Sequence, residues 1–292
     1  MLSRVKSRIP PTVRITRKAC QFAAVIAVCL GWLGWISPGV LQADEQIGAE
    51  ASAQHGQSFY RAWQAARSGK RDLFHQLMPG LQDYLLYPYL QYEDLRFRRA
   101  TVPPDEMASF LESHAEFPFT NALRNAWLRT LGKNSQWDAL LEYAGGSSDT
   151  EIRCYEAQAR IKRGQTDGLL PTAQSLWAVG KSQPDPCDPV FSWLRKQNGI
   201  TSGLAWERIR LAMEGRQPRL TQYLARYVDP NTEVWVKRWQ EQERGGYYRL
   251  NRARHWPDHE KGRVISDYGL RKLARNNADR AAEVFADLDG QM

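Results

Sequence analysis

The sequence predicts an all-α fold: an α-solenoid, or superhelix, built from short antiparallel helix hairpins. Apolar residues recur at spacings of three and four along much of the chain, which is typical of helices with one buried face. Glycines interrupt these apolar stripes at regular intervals, and no segment of useful length alternates apolar and polar residues as a half-buried strand does. A single hairpin cannot bury its stripe alone, so the hairpins are expected to stack around a continuous apolar interior.

Residues 1–43 differ from the rest of the chain. They hold six basic residues and no acidic one, and the apolar run "ACQFAAVIAVCLGWLGWI" follows the basic part. With "VLQA" ending at Ala43, this order predicts a secretory signal peptide over 1–43 and a mature chain over 44–292, exported to the periplasm. The alternative is an uncleaved leader that anchors the protein in the inner membrane. A lipid anchor at Cys29 is disfavoured, because Val28 stands where a small residue is expected.

The leader also explains most of the positive charge. The whole chain has 40 lysines and arginines against 32 acidic residues, a net charge of +8. Without the leader's six basic residues, 34 remain against 32, a net charge of +2. The mature chain is therefore near neutral, and no nucleic-acid partner is predicted.

Two cysteines, Cys154 and Cys187, lie beyond the leader. An even count in an exported chain indicates a disulfide, and two buried free thiols are the alternative. The two cysteines are 33 residues apart, near equivalent positions of adjacent repeats. Because stacked helix axes lie about 8–10 Å apart, a bridge requires an unusually close approach. Neither cysteine has a second Cys or a His nearby, so no metal site is predicted.

A repeat of helix–turn–helix length is visible in the glycine positions. The glycines that punctuate the stripes are Gly132, Gly146, Gly164, Gly180, Gly199 and Gly215. Alternate members are 32 to 35 residues apart, which is the period of tetratricopeptide-type repeats. Each glycine is expected just past the last turn of a helix, in the left-handed conformation. Asp149 and Thr120 are expected to cap helix N-termini.

The apolar stripes give the expected buried residues in chain order. They are Leu123, Trp127, Leu131; Trp137, Leu140, Leu141, Ala144; Ile152, Tyr155, Ala159; Ala205, Ile209, Ala212; and Leu220, Tyr223, Leu224, Tyr227. Earlier, in "GLQDYLLYPYLQYEDL", one helical face is expected to hold Leu81, Leu85, Tyr92 and Leu95. Pro88 is expected to bend or restart the helix. This tyrosine-rich stretch is interpreted as core rather than as a carbohydrate-stacking platform.

Several motifs resemble the N-terminal helical domain of the soluble lytic murein transglycosylases. They are "YLLYPYLQYEDL", "FLESHAEFPFTNALRNAWLRTLGKNSQWDALLEY", "LWAVGKSQPDPCDPVFSWL" and "GLAWERIRLAMEGRQPRLTQYLARYV", and they occur in the family's order from Gln54 to about Trp239. The resemblance implies a right-handed, U-shaped superhelix joined to a lysozyme-like catalytic domain. It implies a disulfide between Cys154 and Cys187, and peptidoglycan glycan strands as partners.

The resemblance does not extend to the family's catalytic motif. Family members cleave glycan strands to anhydro-muramic acid ends with one glutamate, in Glu-Ser-x-aromatic followed by "GAxGLMQ". Here the only Glu-Ser is Glu112–Ser113, with Ala115 in the fourth position and no "GLMQ" after it. Glu112 is therefore expected to be an exposed helix residue, and no catalytic residue is assigned. This chain alone is expected to be inactive. Its catalytic domain is expected either to be lost or to be encoded separately.

Other candidate sites are weaker. His255 and His259 have a spacing that could suit a metal, but Pro257 interrupts the helix that would align them, so no metal site is predicted. The arginines of "LRFRRA" stand beside Glu93 and Asp94 and indicate a solvated helix end. No nucleophile elbow, P-loop or dinucleotide fingerprint appears, so no cofactor is predicted. The functional expectation is a non-catalytic murein-binding domain, and the alternative is a helical adaptor for murein or a periplasmic protein.

Overall fold

The computed structural model describes residues 38–288, with side-chain environments from residue 53 onwards. In this part of the chain all regular secondary structure is helical, which confirms the all-α prediction. Most of the predicted signal peptide lies outside the described residues, and its last six residues begin the first helix. None of the helices between residues 38 and 288 combines the length and apolar character that a membrane crossing requires.

Fourteen α-helices follow one another in the described range. They are α1 (Pro38–Arg67), α2 (Arg71–Leu77), α3 (Tyr87–Arg98), α4 (Pro104–Ser113), α5 (Thr120–Lys133), α6 (Trp137–Tyr143), α7 (Thr150–Lys162), α8 (Leu169–Trp177), α9 (Asp188–Lys196), α10 (Ser202–Glu214), α11 (Pro218–Leu224), α12 (Pro230–Asn251), α13 (Glu260–Ala274) and α14 (Ala278–Leu288). Gly246 breaks α12 with a φ of 56°. The described residues divide into two units between Gln57 and Ser58. In the first, the described residues are helical, and the packing below is that of the second.

The helices of the second unit stack in the manner of a solenoid. Helix α5 packs on α6 and α7, α7 packs on α8 and α9, and α10 packs on α11 and α12. Helices α5, α7 and α10 therefore each contact the next helix and the next but one. This local pattern follows from the short loops and from apolar stripes too wide to be buried by one neighbour.

Among the residues whose side chains are described, the interior consists of four clusters rather than the continuous core expected from the sequence. Helix α7 contributes to the two largest. Ile152, Tyr155 and Ala159 join a cluster with α4, α5 and α6, whereas Cys154 and Ala157 join a cluster with α8 to α13. The expected stripe on α7 is thus buried as predicted, and its opposite face is buried as well. Helix α7 is the shared wall between the two clusters.

The glycines play two different roles. Gly146 and Gly164 adopt the predicted positive φ, at 75° and 71°. The other four do not, and the left-handed positions near three of them are taken by Ser135, Asn198 and Arg216. Gly132 instead lies inside α5, where an added Cβ would stand 2.3 Å from Cγ of Tyr155. Its role is close packing of α5 on α7, which glycine spacing alone does not distinguish from capping.

One of the two predicted N-caps is confirmed. The side chain of Asp149 accepts a hydrogen bond from the backbone N–H of Ile152 at 3.1 Å and caps α7. Thr120 is not a cap. It is the first residue of α5, and its hydroxyl donates to the carbonyl of His114 in the preceding turn.

The tyrosine-rich stretch is mainly architecture, with one error in the predicted face. Pro88 lies in the first turn of α3, which restarts the chain as predicted. Leu81 and Leu95 are buried, but Leu85 is 87% exposed because it lies in the turn between helices rather than on a helix. Tyr92 packs its ring 4.6 Å from that of Phe119 and is half-buried.

We expect Gly132→Ala to lower the free energy of unfolding by about 1–3 kcal/mol, because the added methyl overlaps the ring of Tyr155. Helix propensity alone predicts the opposite sign, a gain of up to about 1 kcal/mol. Urea unfolding followed by circular dichroism measures the difference. Gly145→Ala is the matched control, since its added Cβ would have no atom within 4 Å. Equal stability of both variants would contradict the packing role.

Candidate functional site

The structure contains a disulfide between Cys154 and Cys187. Their Cα atoms are 4.9 Å apart, closer than neighbouring helix axes, because Cys187 lies in a 3₁₀ turn rather than in a helix. Both cysteines are completely buried. The side-chain amide of Gln158 on α7 donates to the carbonyl of Pro186, which holds the same turn. The bridge therefore joins α7 to the segment that leads into α9.

Glu112 lies where the sequence placed it, exposed on the last turn of α4. Its neighbours Phe110 and Leu111 are buried in the core, so the helix turns Glu112 towards solvent. An exposed carboxylate lacks the apolar environment that keeps a catalytic acid protonated at neutral pH.

The two histidines considered for a metal lie in different elements. His255 ends a 3₁₀ turn, whereas His259 precedes α13 as its N-cap and accepts a hydrogen bond from the N–H of Lys261 at 3.0 Å. The ring of His259 stacks on Trp235 with 4.8 Å between ring centroids. Over the described residues, no group of three potential ligands is close enough to hold a metal ion.

The arginines of "LRFRRA" are engaged with local acceptors. Arg96 forms an ion pair with Glu93 at 2.7 Å, and Arg98 forms one with Asp94 at the same distance. Arg99 donates to the carbonyl of Arg96. Two of the three positive charges are therefore already paired, which leaves little net charge for an external anion.

A first cleft is lined by two carboxylates, those of Glu214 on α10 and Glu243 on α12. The cleft has a volume of about 480 Å³ and is also lined by Tyr268 and Lys272 of α13. Tyr268 donates to Glu243 at 2.6 Å, and the ammonium of Lys272 lies 2.9 Å from the same oxygen. Burial favours a raised pKa for Glu243, but these two hydrogen bonds and the charges of Lys272 and Arg216 outweigh it and lower the pKa. Glu243 is thus ionised at neutral pH and unsuited to be a general acid.

A second cleft, of about 750 Å³, lies among the α8–α9 connection, α9, α10 and α11. Its inner wall is Arg208 of α10, which is only 4% exposed. The guanidinium lies over the ring of Trp177 at 4.6 Å, with Phe191 at 5.9 Å. Nε donates to the carbonyl of Val179 at 3.2 Å, and Nη2 lies 3.4 Å from the carbonyl oxygen of Lys181.

Arg208 is held without a carboxylate partner. Across the described residues no Asp or Glu oxygen lies within 4.0 Å of its guanidinium. Burial lowers the pKa of Arg208 to about 10, against the opposing influence of Tyr223 and Tyr227. The side chain therefore remains protonated at neutral pH. It is a buried positive charge compensated only by dipoles and aromatic rings.

Close packing of the α8–α9 connection on α10 brings the backbone carbonyls to Arg208. An added Cβ at Gly180 would stand 2.5 Å from the backbone oxygen of Leu211, so only glycine lets the α8–α9 connection approach α10 this closely. The approach brings the carbonyls of Val179 and Lys181, on either side of Gly180, within reach of Arg208.

Sequence analysis missed Arg208, although a signal was present. Ala205, Ile209 and Ala212 define the apolar face of α10, and all three are completely buried. Arg208 follows Ala205 by three positions and precedes Ala212 by four, so it lies on that same face. A charged residue on a buried face needs a partner or a cleft, and this reasoning would have singled it out.

Comparison with known proteins gives a consistent relationship, although no protein-family model matches the chain. The chain is 35% identical over 164 residues to the soluble lytic murein transglycosylase of Salmonella typhimurium. It is 34% identical over 164 residues to that of Escherichia coli K12. This chain matches the superhelical domain of the soluble lytic murein transglycosylases. Each alignment covers 56% of this chain but 25% of the relative, so the chain spans about a quarter of the curated relatives' length.

Solved structures of soluble lytic transglycosylases share the fold. The 70-kDa soluble lytic transglycosylase in complex with bulgecin A superimposes with a TM-score of 0.71 and 26% identity, over 82% of this chain and 39% of that one. The 70-kDa enzyme from Escherichia coli gives 0.70 and 25% over the same shares. An inactive mutant of Slt from Pseudomonas aeruginosa gives 0.68 and 26%, over 80% of this chain and 38% of that one. The superhelical fold class predicted from the sequence is confirmed.

We expect the double variant Cys154→Ala/Cys187→Ala to lose about 3–4 kcal/mol of unfolding free energy, since the bridge closes a 33-residue loop of this transglycosylase-like superhelix. Urea unfolding of the oxidised protein and of the double variant measures the loss. The control is a reductant, which should destabilise the parent protein and leave the double variant unchanged. A parent protein insensitive to reduction would contradict the structural role of the bridge.

We expect Glu243→Gln to lower stability by about 1 kcal/mol at pH 7, because the ion pair with Lys272 is lost from this partly exposed site. A lowered folded-state pKa contributes stability above the unfolded value of 4.5 and loses it as the pH falls through the folded pKa. The difference between variant and parent should therefore shrink below pH 4.5. Glu241→Gln, which removes a more exposed and longer ion pair with Arg249, is the control. A difference that persists unchanged at pH 3 would contradict the assignment.

Proposed function

We propose that this chain is a periplasmic, peptidoglycan-associated protein whose superhelical part binds or frames murein without cleaving it. The observation that carries the proposal is the superposition of more than four-fifths of the chain on a soluble lytic transglycosylase, with a TM-score of 0.71. The relatives found by sequence are soluble lytic murein transglycosylases. Association with the same polymer is the simplest role that fits both findings.

The non-catalytic part of the proposal rests on two carboxylates, Glu112 and Glu243. Glycosidic bond cleavage of this kind needs an acid whose pKa is raised by an apolar pocket. Glu112, which stands in the one Glu-Ser dipeptide, is exposed. The carboxylate of Glu243 lines a cleft, but its pKa is lowered. A lysozyme-like domain, joined to this superhelix or made separately, would supply the cleavage step.

The leader supports the periplasmic location. A basic segment, an apolar run and a small residue at Ala43 precede the acidic pair Asp44 and Glu45. On this proposal the mature chain starts at Asp44. An uncleaved leader would instead keep the same domain at the inner membrane, facing the same compartment.

We expect the secreted protein to begin at Asp44 and to be recovered in the periplasmic fraction. Intact-mass measurement of the protein from fractionated cells locates the processing site. Replacing Ala43 by a large residue, Ala43→Trp, should block processing and leave the longer form with the membrane fraction. Recovery of the full-length chain in the soluble cytoplasmic fraction would contradict export.

We expect the mature chain to cosediment with purified murein sacculi and to release no anhydro-muropeptides from them. Mass spectrometry of the soluble fraction after long incubation detects such products at high sensitivity. Glu112→Gln and Glu243→Gln serve as controls and should give the same result as the parent. Release of anhydro-muropeptides by the parent chain would refute the non-catalytic role. Failure to cosediment, with capture of a periplasmic protein instead, would favour the adaptor role.

A further inference from the structure

The cleft around Arg208 has the features of a small-molecule site rather than of simple packing. Its volume of about 750 Å³ is within the usual range of ligand pockets, about 300–1,000 Å³. Its base is a buried cation, and its wall includes the aromatic rings of Trp177 and Phe191. We propose that this cleft binds a small carboxylate-bearing ligand through Arg208, and, resting on the proposed function, that the carboxylate belongs to a peptidoglycan stem peptide.

Arg208 has a guanidinium nitrogen that no described protein group accepts from. A guanidinium has five N–H donors in a rigid fork, and here only Nε and Nη2 contact protein carbonyls. Nη1 has no protein acceptor among the described residues, and it is not one of the fully enclosed atoms that lack a partner, so it faces the open space of the cleft. A largely buried charge is costly, and an anion in the cleft that accepts from Nη1 would offset that cost better than water does. A carboxylate matches the fork in size and geometry.

The rim of the cleft is positively charged. Arg195 on α9 and Arg219 on α11 line the same cleft, whereas Asp188 is its one acidic lining residue. No ion pair is formed by Arg195 or Arg219 with any carboxylate of the described chain; Arg195 donates to the hydroxyl of Ser192 at 2.7 Å. Three arginines against one aspartate leave a net positive charge of two. Such a rim attracts anions and raises their local concentration.

The uncharged part of the cleft lining suits an amide-rich ligand. Ser182, Gln183 and Gln217 line the cleft together with Tyr223, whose ring is 42% exposed. The amide nitrogen of Gln183 donates to the carbonyl of Leu176 at 2.6 Å, which fixes its position. Hydroxyl and amide groups next to an exposed aromatic ring can hydrogen-bond a peptide while the ring covers an apolar face. A bare inorganic anion would leave these groups unused.

The experiment is isothermal titration calorimetry of the mature, oxidised chain with three probes. Muramyl dipeptide carries one free carboxylate, its carboxamide derivative carries none, and citrate is a carboxylate unrelated to peptidoglycan. Muramyl dipeptide should bind, and the carboxamide should bind at least about tenfold more weakly, because the charge-assisted hydrogen bonds to Arg208 are lost. Bound muramyl dipeptide should also raise the melting temperature of the parent chain.

Three variants locate the binding. Arg208→Met keeps the volume and removes the charge, and it should weaken muramyl dipeptide binding at least about tenfold. Arg219→Gln, at an exposed rim position that cannot threaten folding, should weaken binding several-fold. Arg210→Gln is the matched control on the same helix. Arg210 pairs with Glu207 and Glu214 away from the cleft, so its loss should leave binding unchanged. Circular dichroism confirms that each variant is folded.

The possible results answer two separate questions. One is whether the cleft binds a carboxylate, and the other is whether that carboxylate belongs to a peptidoglycan stem peptide. Binding of citrate through Arg208 without binding of muramyl dipeptide would overturn the stem-peptide assignment and retain the carboxylate site. Equal binding of muramyl dipeptide and its carboxamide would overturn the carboxylate site. No binding of any probe, or binding unaffected by Arg208→Met and Arg219→Gln, would also overturn it. Each of these results is independent of whether the chain sediments with sacculi, so the proposed function is judged separately.

Discussion

The burial of α7 on two opposite faces is the constraint on which the rest of this superhelix depends. Ile152 and Ala159 complete the cluster built with α4 to α6, and Cys154 and Ala157 complete the cluster built with α8 to α13. A helix with only one apolar face would leave one of these clusters open to water. The disulfide from Cys154 to Cys187 then fixes the second cluster to α7 covalently. The position of the α8–α9 connection follows from this attachment.

The same attachment positions the positively charged cleft. The bridge ends at Cys187, and the segment between α8 and that residue passes close over α10 at Gly180. Its carbonyls accept hydrogen bonds from Arg208, whose charge would otherwise face an apolar cluster containing Trp177, Phe191 and Trp206. A polar group is thus embedded in the largest core of the molecule. Such a group costs stability unless it is satisfied, and here the carbonyls of Val179 and Lys181 satisfy part of it.

Periodic burial could be predicted from the sequence, whereas the exceptions to it could not. The stripes on α5, α7 and α10 are buried as expected, because a spacing of three and four residues requires one apolar face. The roles of Gly132 and Gly180 were not predictable, since a glycine that ends a helix and a glycine that admits a neighbour look alike in sequence. The prediction placed Leu85 on a helical face, but Leu85 lies in the turn before α3, which begins only at Tyr87. The Arg208 cleft depends on contacts between residues about 30 positions apart, which periodicity does not report.

Native-state hydrogen exchange of α7 measures whether this helix is buried on both faces. If α7 is the wall shared by two clusters, the amides of Ile152 to Ala159 exchange only when both clusters open. Their opening free energy should equal the highest value among the described helices and exceed that of α4 and α14. Reducing the disulfide should lower protection in α8 and α9 more than in α5. Exchange of α7 at a lower free energy than its neighbours on either side would show that α7 is not the wall shared by the two clusters.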